Sequence, residues 1–96
     1  MDLREFQRTI RRTYHERDAG RGIGKTFMWF TEEVGELAQA IRKGDKGAKE
    51  HEFADALAWL ATLANLCDVD LGAVAYERYG KGCPRCRAIP CACPLQ

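Results

Sequence analysis

The sequence predicts an all-α fold: an antiparallel helix pair with flanking helices, plus a short cysteine-rich C-terminal tail. Three observations carry that prediction. Apolar residues recur every three or four positions through most of the chain, capping residues stand at the ends of the periodic stretches, and no stretch alternates as a strand does. The 96 residues divide into one small helical domain, residues 1–80, and a tail, residues 81–96. A domain of this size buries a modest share of its surface, so oligomerisation or a bound metal would add needed stability.

The first helix is expected from Asp2 to about Glu16. Asp2 and Glu5 have the spacing of a capping box, and Leu3, Phe6, Ile10 and Tyr14 form one apolar stripe. The opposite face carries Arg4, Arg8, Arg11 and Arg12, most simply a solvated surface, with phosphate binding by one or two of them the lesser reading. Residues 19–26 read Ala-Gly-Arg-Gly-Ile-Gly-Lys-Thr and fit a relaxed P-loop pattern with alanine in place of the first glycine. A P-loop works only between a buried strand and a helix of a parallel sheet. The preceding Arg-Arg-Thr-Tyr-His-Glu-Arg-Asp is too charged for such a strand, so a flexible glycine-rich loop is expected here. Arg21 and Lys25 are candidates to reach phosphates from it.

Helix two is expected from an N-cap at Thr26 to Lys43, with Gly44 as its stop. The turn Lys43-Gly-Asp-Lys-Gly47 is short, so helix three returns antiparallel over about Ala48 to Cys67. From Ala54 to Leu66 its only polar residues are Asp55, Thr62 and Asn65, which makes it apolar almost all round and central. Cys67 continues its apolar side and reads as a small core residue. A fourth helix starts after an N-cap at Asp70 and ends near Tyr79 and Gly80.

The chemistry is concentrated in two acidic clusters, Glu32-Glu33-Val-Gly-Glu36 and Glu52-Phe-Ala-Asp55. Glu33/Glu36 and Glu52/Asp55 share the i, i+3 spacing that puts two side chains on one helix face, with Cβ atoms about 5–6 Å apart. Antiparallel packing of the two helices brings the four carboxylates together, where their charges repel. A hard divalent cation resolves that conflict, and Mg²⁺ takes oxygen ligands together with a substrate phosphate. A solvated acidic face is the plainer alternative. Against it, Glu33 borders the apolar stripe Phe30, Val34, Leu37, Ile41, and Asp55 lies on a helix with almost no polar side.

Net charge is +1, which argues against an obligate polyanion binder. Residues 1–25 carry seven basic and four acidic side chains, residues 26–55 four basic and seven acidic. A basic arm beside an acidic centre suits a metal–triphosphate ligand better than a nucleic-acid duplex. No apolar run reaches transmembrane length and no signal-peptide core is visible, so the chain reads as cytoplasmic with no membrane partner. Trp29 and Trp59 each lie one turn from a carboxylate; either suits stacking on a base, although core packing is the ordinary role. Thr62 and Asn65 continue round from Asp55, as substrate contacts or as a satisfied polar pair. Arg78 and Lys81 are candidate phosphate contacts or simple surface charge.

The tail holds Cys83, Cys86, Cys91 and Cys93, four cysteines within eleven residues. Such a set in a reducing compartment suits a tetrahedral zinc site, with disulfides or free thiols as alternatives, and its Cys-x-Cys half is tighter than the usual pair.

Glu32-Glu33-x-x-Glu36, fifteen residues, then Glu52-x-x-Asp55 resembles the signature of the MazG-like nucleotide pyrophosphohydrolases. Thr26-Phe-x-Trp-Phe, Leu-Ala-Gln-Ala-Ile, Leu63-Ala-Asn-Leu and Val-Asp-Leu71 extend the likeness over about residues 3–80, but not into the cysteine tail. The resemblance implies an all-α, Mg²⁺-dependent hydrolase that cleaves a nucleoside triphosphate to monophosphate and pyrophosphate, a nucleotide-pool cleaning activity. It implies homodimers or tetramers, with the helix pair completing a four-helix bundle with a neighbour. By the same likeness Glu33, Glu36, Glu52 and Asp55 match metal ligands. Glu32 matches the glutamate that orients or deprotonates the attacking water, and Asn65 a polar position near the nucleotide. Two rival readings are a phosphoribosyl-ATP pyrophosphohydrolase of the same superfamily and a non-catalytic zinc-tailed interaction module.

Overall fold

The computed structural model describes residues 1–95 and has four helices, with no strand among the described residues: α1 Leu3–Arg21, α2 Ile23–Lys43, α3 Lys46–Leu66 and α4 Leu71–Tyr79. α2 and α3 form the central pair, and Gly44 and Asp45 alone connect them, which makes them antiparallel. Gly44 adopts φ +77°, a left-handed conformation, and its N–H donates to the carbonyls of Ala40 and Ile41. Asp45 then caps α3 by accepting from the Ala48 N–H at 3.2 Å.

The boundary between α1 and α2 differs from the sequence expectation. α1 runs on past Glu16 to Arg21, and α2 starts at Ile23, so the expected glycine-rich loop shrinks to Gly22. Gly22 serves both helices: its N–H donates to the Asp18 carbonyl at 3.0 Å, and its carbonyl accepts from the Thr26 N–H at 3.1 Å. Thr26 is therefore not an N-cap. It lies fully buried inside the first turn, its hydroxyl donating to the Gly22 carbonyl at 2.6 Å. What holds so abrupt a break is a local polar clamp across it. Arg21 binds Asp18 through both terminal nitrogens, at 2.7 and 3.0 Å, and reaches the Thr26 hydroxyl at 3.4 Å. A P-loop is excluded by the helix on both sides.

α1 packs on α3 and α4, and α4 turns away from α3 by 100°. One side chain fastens this corner. Gln7, buried on α1, donates to Asn65 Oδ1 at 2.9 Å and to the Val69 carbonyl at 2.7 Å. Its Oε1 accepts from the Leu71 N–H at 2.9 Å, and the Asn65 amide donates back to the Gln7 carbonyl at 3.3 Å. The chain reverses through Asp68, whose φ of +57° is left-handed. Cys67 caps α3 at this reversal and is exposed, not in the core, because α3 ends one residue before it.

Few apolar residues among those described are buried: Ile10, Ala40, Ala61 and Ala64. No single helix among the described residues is long and apolar enough to cross a membrane.

Candidate active site

The acidic residues meet in the seam between α2 and α3. Glu33 and Glu36 from α2 and Glu52 from α3 each present an oxygen within 4.8 Å of the others. Glu33 Oε2 and Glu52 Oε2 are buried and lack any hydrogen-bond partner. Burial comes first among the causes that push the Glu33 carboxyl up to about 7. The adjoining Glu52 carboxyl follows, then the charges of Glu36, Glu52 and Asp55. Orphaned, mutually repelling oxygens are the donor set a hard divalent cation requires.

The expected convergence of four carboxylates holds for three of them in this arrangement. Asp55 belongs to a neighbouring group with Glu52 and His51, again within 4.8 Å of one another, and its Oδ2 lies 3.1 Å from His51 Nε2. Sequence reasoning passed over His51, although its i, i+4 relation to Asp55 was visible. Glu32 is exposed on the outer side of α2, one residue from Glu33.

A cleft of about 340 Å³ opens beside Asp55, between α1 and α3. From α1 it is lined by Tyr14, Arg17, Asp18 and Arg21, and from α3 by Asp55, Trp59 and Thr62, among others. The Arg21 guanidinium lies over the Trp59 ring, 4.9 Å from its centroid, and Trp29 stacks on Trp59 with centroids 6.3 Å apart. The structure thus puts both tryptophans and Thr62 near the acidic seam. Tyr14 was assigned to the apolar stripe and Arg17 and Asp18 were given no role, because only the unbroken α1 carries them to this wall.

The remaining candidates lie elsewhere. Asn65 is engaged by Gln7 at the other end of α3. Arg78 shares a cleft with Glu77, Pro84 and Arg87, between α4 and the tail. Lys81 is exposed beyond α4, and Lys25 is exposed on the first turn of α2.

Cys83, Cys86, Cys91 and Cys93 form a second cluster of possible ligands, all four sulfurs within 4.8 Å of one another. Backbone N–H groups of Ala92 and Ala88 bring the Cys86 thiol down to about 6, and those of Cys86 and Arg85 lower Cys83. The sulfurs of Cys91, Cys83 and Cys86 push Cys93 up to about 11.

No curated protein matches the chain. The family model of the MazG nucleotide pyrophosphohydrolase domain matches residues 22–88, from the helix break through both acidic clusters and α4 into the first cysteine pair. With its two acidic helices paired as described, the chain belongs to the MazG nucleotide pyrophosphohydrolase family.

Proposed function

We propose that the protein hydrolyses nucleoside triphosphates to the monophosphate and pyrophosphate, using Mg²⁺ held by Glu33, Glu36, Glu52 and Asp55. The observation that carries this reading is the pair of buried, unpartnered oxygens on Glu33 and Glu52, inside a carboxylate cluster of a MazG domain. When bound, Mg²⁺ neutralises phosphate oxygens and acidifies water. The chain's own residues do the rest. Glu32 takes the proton from the water that attacks the α-phosphorus, and the α–β anhydride bond breaks to release pyrophosphate. Arg17 and Arg21 face the cleft beside Asp55 and bind the polyphosphate; as the Arg21 guanidinium turns from the Trp59 ring to the phosphates, that ring, stacked with Trp29, becomes available to the base.

The working unit in this reading is a homo-oligomer. Phe27, Val34 and Ile41 repeat every seven residues along α2 and are about half exposed, at 54, 45 and 52 %. Phe53, Leu57 and Leu60 form a similar exposed stripe on α3. A second α2–α3 pair covering both stripes completes a four-helix bundle.

The test is a panel of ribo- and deoxyribonucleoside triphosphates plus phosphoribosyl-ATP, with pyrophosphate detection and Mg²⁺ as the variable. We expect Mg²⁺-dependent pyrophosphate release from at least one ordinary nucleoside triphosphate. Glu36→Gln and Asp55→Asn should each reduce it to background with helicity intact. Near-normal turnover in both variants would remove the metal assignment, and activity on phosphoribosyl-ATP alone would reassign the substrate.

A further inference from the structure

The four sulfurs of the tail take no part in the chemistry of the acidic seam, yet their spacing is that of a metal cage. We propose that Cys83, Cys86, Cys91 and Cys93 bind one structural Zn²⁺ ion, which closes residues 83–93 into a knot beside α4. A zinc–thiolate bond of about 2.3 Å fixes the sulfur–sulfur edge of a tetrahedral site at about 3.8 Å. Cys83 and Cys93 have their sulfurs 3.7 Å apart, and Cys86 and Cys91 theirs 3.9 Å apart. These two contacts share no atom, so they are opposite edges of one tetrahedron. With all four sulfurs mutually within 4.8 Å, the ion enters with little rearrangement. A disulfide requires about 2.05 Å, and either pair would have to close by far more than zinc demands.

The backbone is arranged around the sulfurs. The Ala92 N–H donates to Cys86 Sγ at 3.3 Å and the Cys93 N–H to Cys91 Sγ at 3.4 Å, bonds that favour thiolate and orient it. The first half is a tight turn, with Arg87 N–H donating to the Cys83 carbonyl at 2.7 Å and Cys83 N–H to the Ala88 carbonyl at 3.2 Å. Gly82 lets the chain come back on itself. Its φ is +98°, and a Cβ there would lie 2.6 Å from Ile89 Cγ1 and 2.7 Å from the Ala88 carbonyl oxygen.

An apolar core cannot order this segment, since Ile89 is 80 % exposed and Leu95 fully exposed. A metal cross-link can. Soft thiolates select zinc over magnesium, and four of them leave no position open for water or substrate. Pro84 and Arg87 line a cleft with Val74, Glu77 and Arg78, so the knot faces α4, at a cleft that shares no residue with the one containing Asp55. The site is structural.

The full chain, purified under reducing conditions without added metal, should carry about one Zn²⁺ by elemental analysis. Exchange for Co²⁺ should give tetrahedral d–d bands and thiolate-to-cobalt charge transfer. The paired substitution Cys86→Ser with Cys91→Ser should abolish stoichiometric zinc, and Cys67→Ser should leave it unchanged. Folded, reduced wild-type protein with no bound zinc, or one that carries iron instead, would overturn the proposal. Loss of zinc with Cys67→Ser would also overturn it. If the paired variant fails to fold, the cobalt spectrum of the wild type still decides. Metal content and spectra are read without turnover, so the outcome is independent of the hydrolytic function proposed above.

Discussion

Glu33 concentrates the electrostatic conflict of the acidic seam in one carboxyl group. Its folded-state pKa of about 7 stands above the ordinary 4.5, so the metal-free folded protein holds a proton there that the unfolded chain releases. The stability this proton represents is fully present below pH 4.5 and is lost as pH rises through about 7. Glu33→Gln should accordingly raise the melting temperature of metal-free protein at pH 8 and leave it nearly unchanged at pH 4. Calorimetry in chelator at the two pH values checks this. A cation must displace the same proton, so Mg²⁺ binding should release protons at pH 6 and nearly none at pH 8.5. Two-helix spacing alone made Glu33, Glu36 and Glu52 legible, because i, i+3 geometry is local. The approach of His51 to Asp55 is also local, at i, i+4, but a single histidine beside an acidic run carries little signal of its own in sequence.

At the scale of elements, the break at Gly22 is the feature on which the cleft depends. Its backbone, φ +83° and ψ 168°, lies in a region that only glycine occupies comfortably. A Cβ there would meet nothing within 4 Å, so the cost of Gly22→Ala is backbone strain and not a clash. That cost should be about 1–3 kcal/mol, read as a shift in the denaturation midpoint. The shift should come with weaker substrate binding, since Arg17 and Arg21 would move against α3. Local signals correctly marked the α2–α3 turn and the start of α4, where Gly44, Asp45 and Asp70 cap their helices by bonds within a few residues. They failed at residues 17–25 because three glycines there suggest a loop. An Asp18–Arg21 pair at i, i+3 spacing, its carboxylate buried, keeps α1 helical up to Gly22; that spacing is visible in the sequence, but the glycines around it are the stronger loop signal.

For the whole molecule, the balance of burial is the informative quantity. Its radius of gyration is 15.8 Å, against about 12.5 Å for a compact chain of this length. The protomer is elongated and keeps large apolar side chains half exposed on α2 and α3, the surface that the proposed oligomer would cover. Light scattering at micromolar concentration should therefore give a dimer or tetramer. Leu57→Glu together with Val34→Glu should shift the population towards monomer and lower thermal stability. A stable wild-type monomer would contradict the bundle. The helical class and the acidic pair were readable from sequence because periodicity and spacing record them directly. Which apolar residues of α2 and α3 stay exposed in the single chain was not, since enclosed and exposed apolar positions share one periodicity.

Trp29 and Trp59 are the chain's two tryptophans, and they stack on each other in the seam between the acidic helices. All indole light emitted by this protein therefore originates from one place, within reach of Arg21 and a few residues from the carboxylates. With rings 6.3 Å apart and tilted by only 20°, the pair should absorb as a coupled chromophore, checked by near-ultraviolet dichroism of the wild type against Trp29→Phe. Its ultraviolet dichroism reports the angle between α2 and α3, and its emission the polarity of the cleft. The molecule thus carries an optical gauge at the seam itself, readable in unlabelled protein while a candidate metal or nucleotide is titrated in.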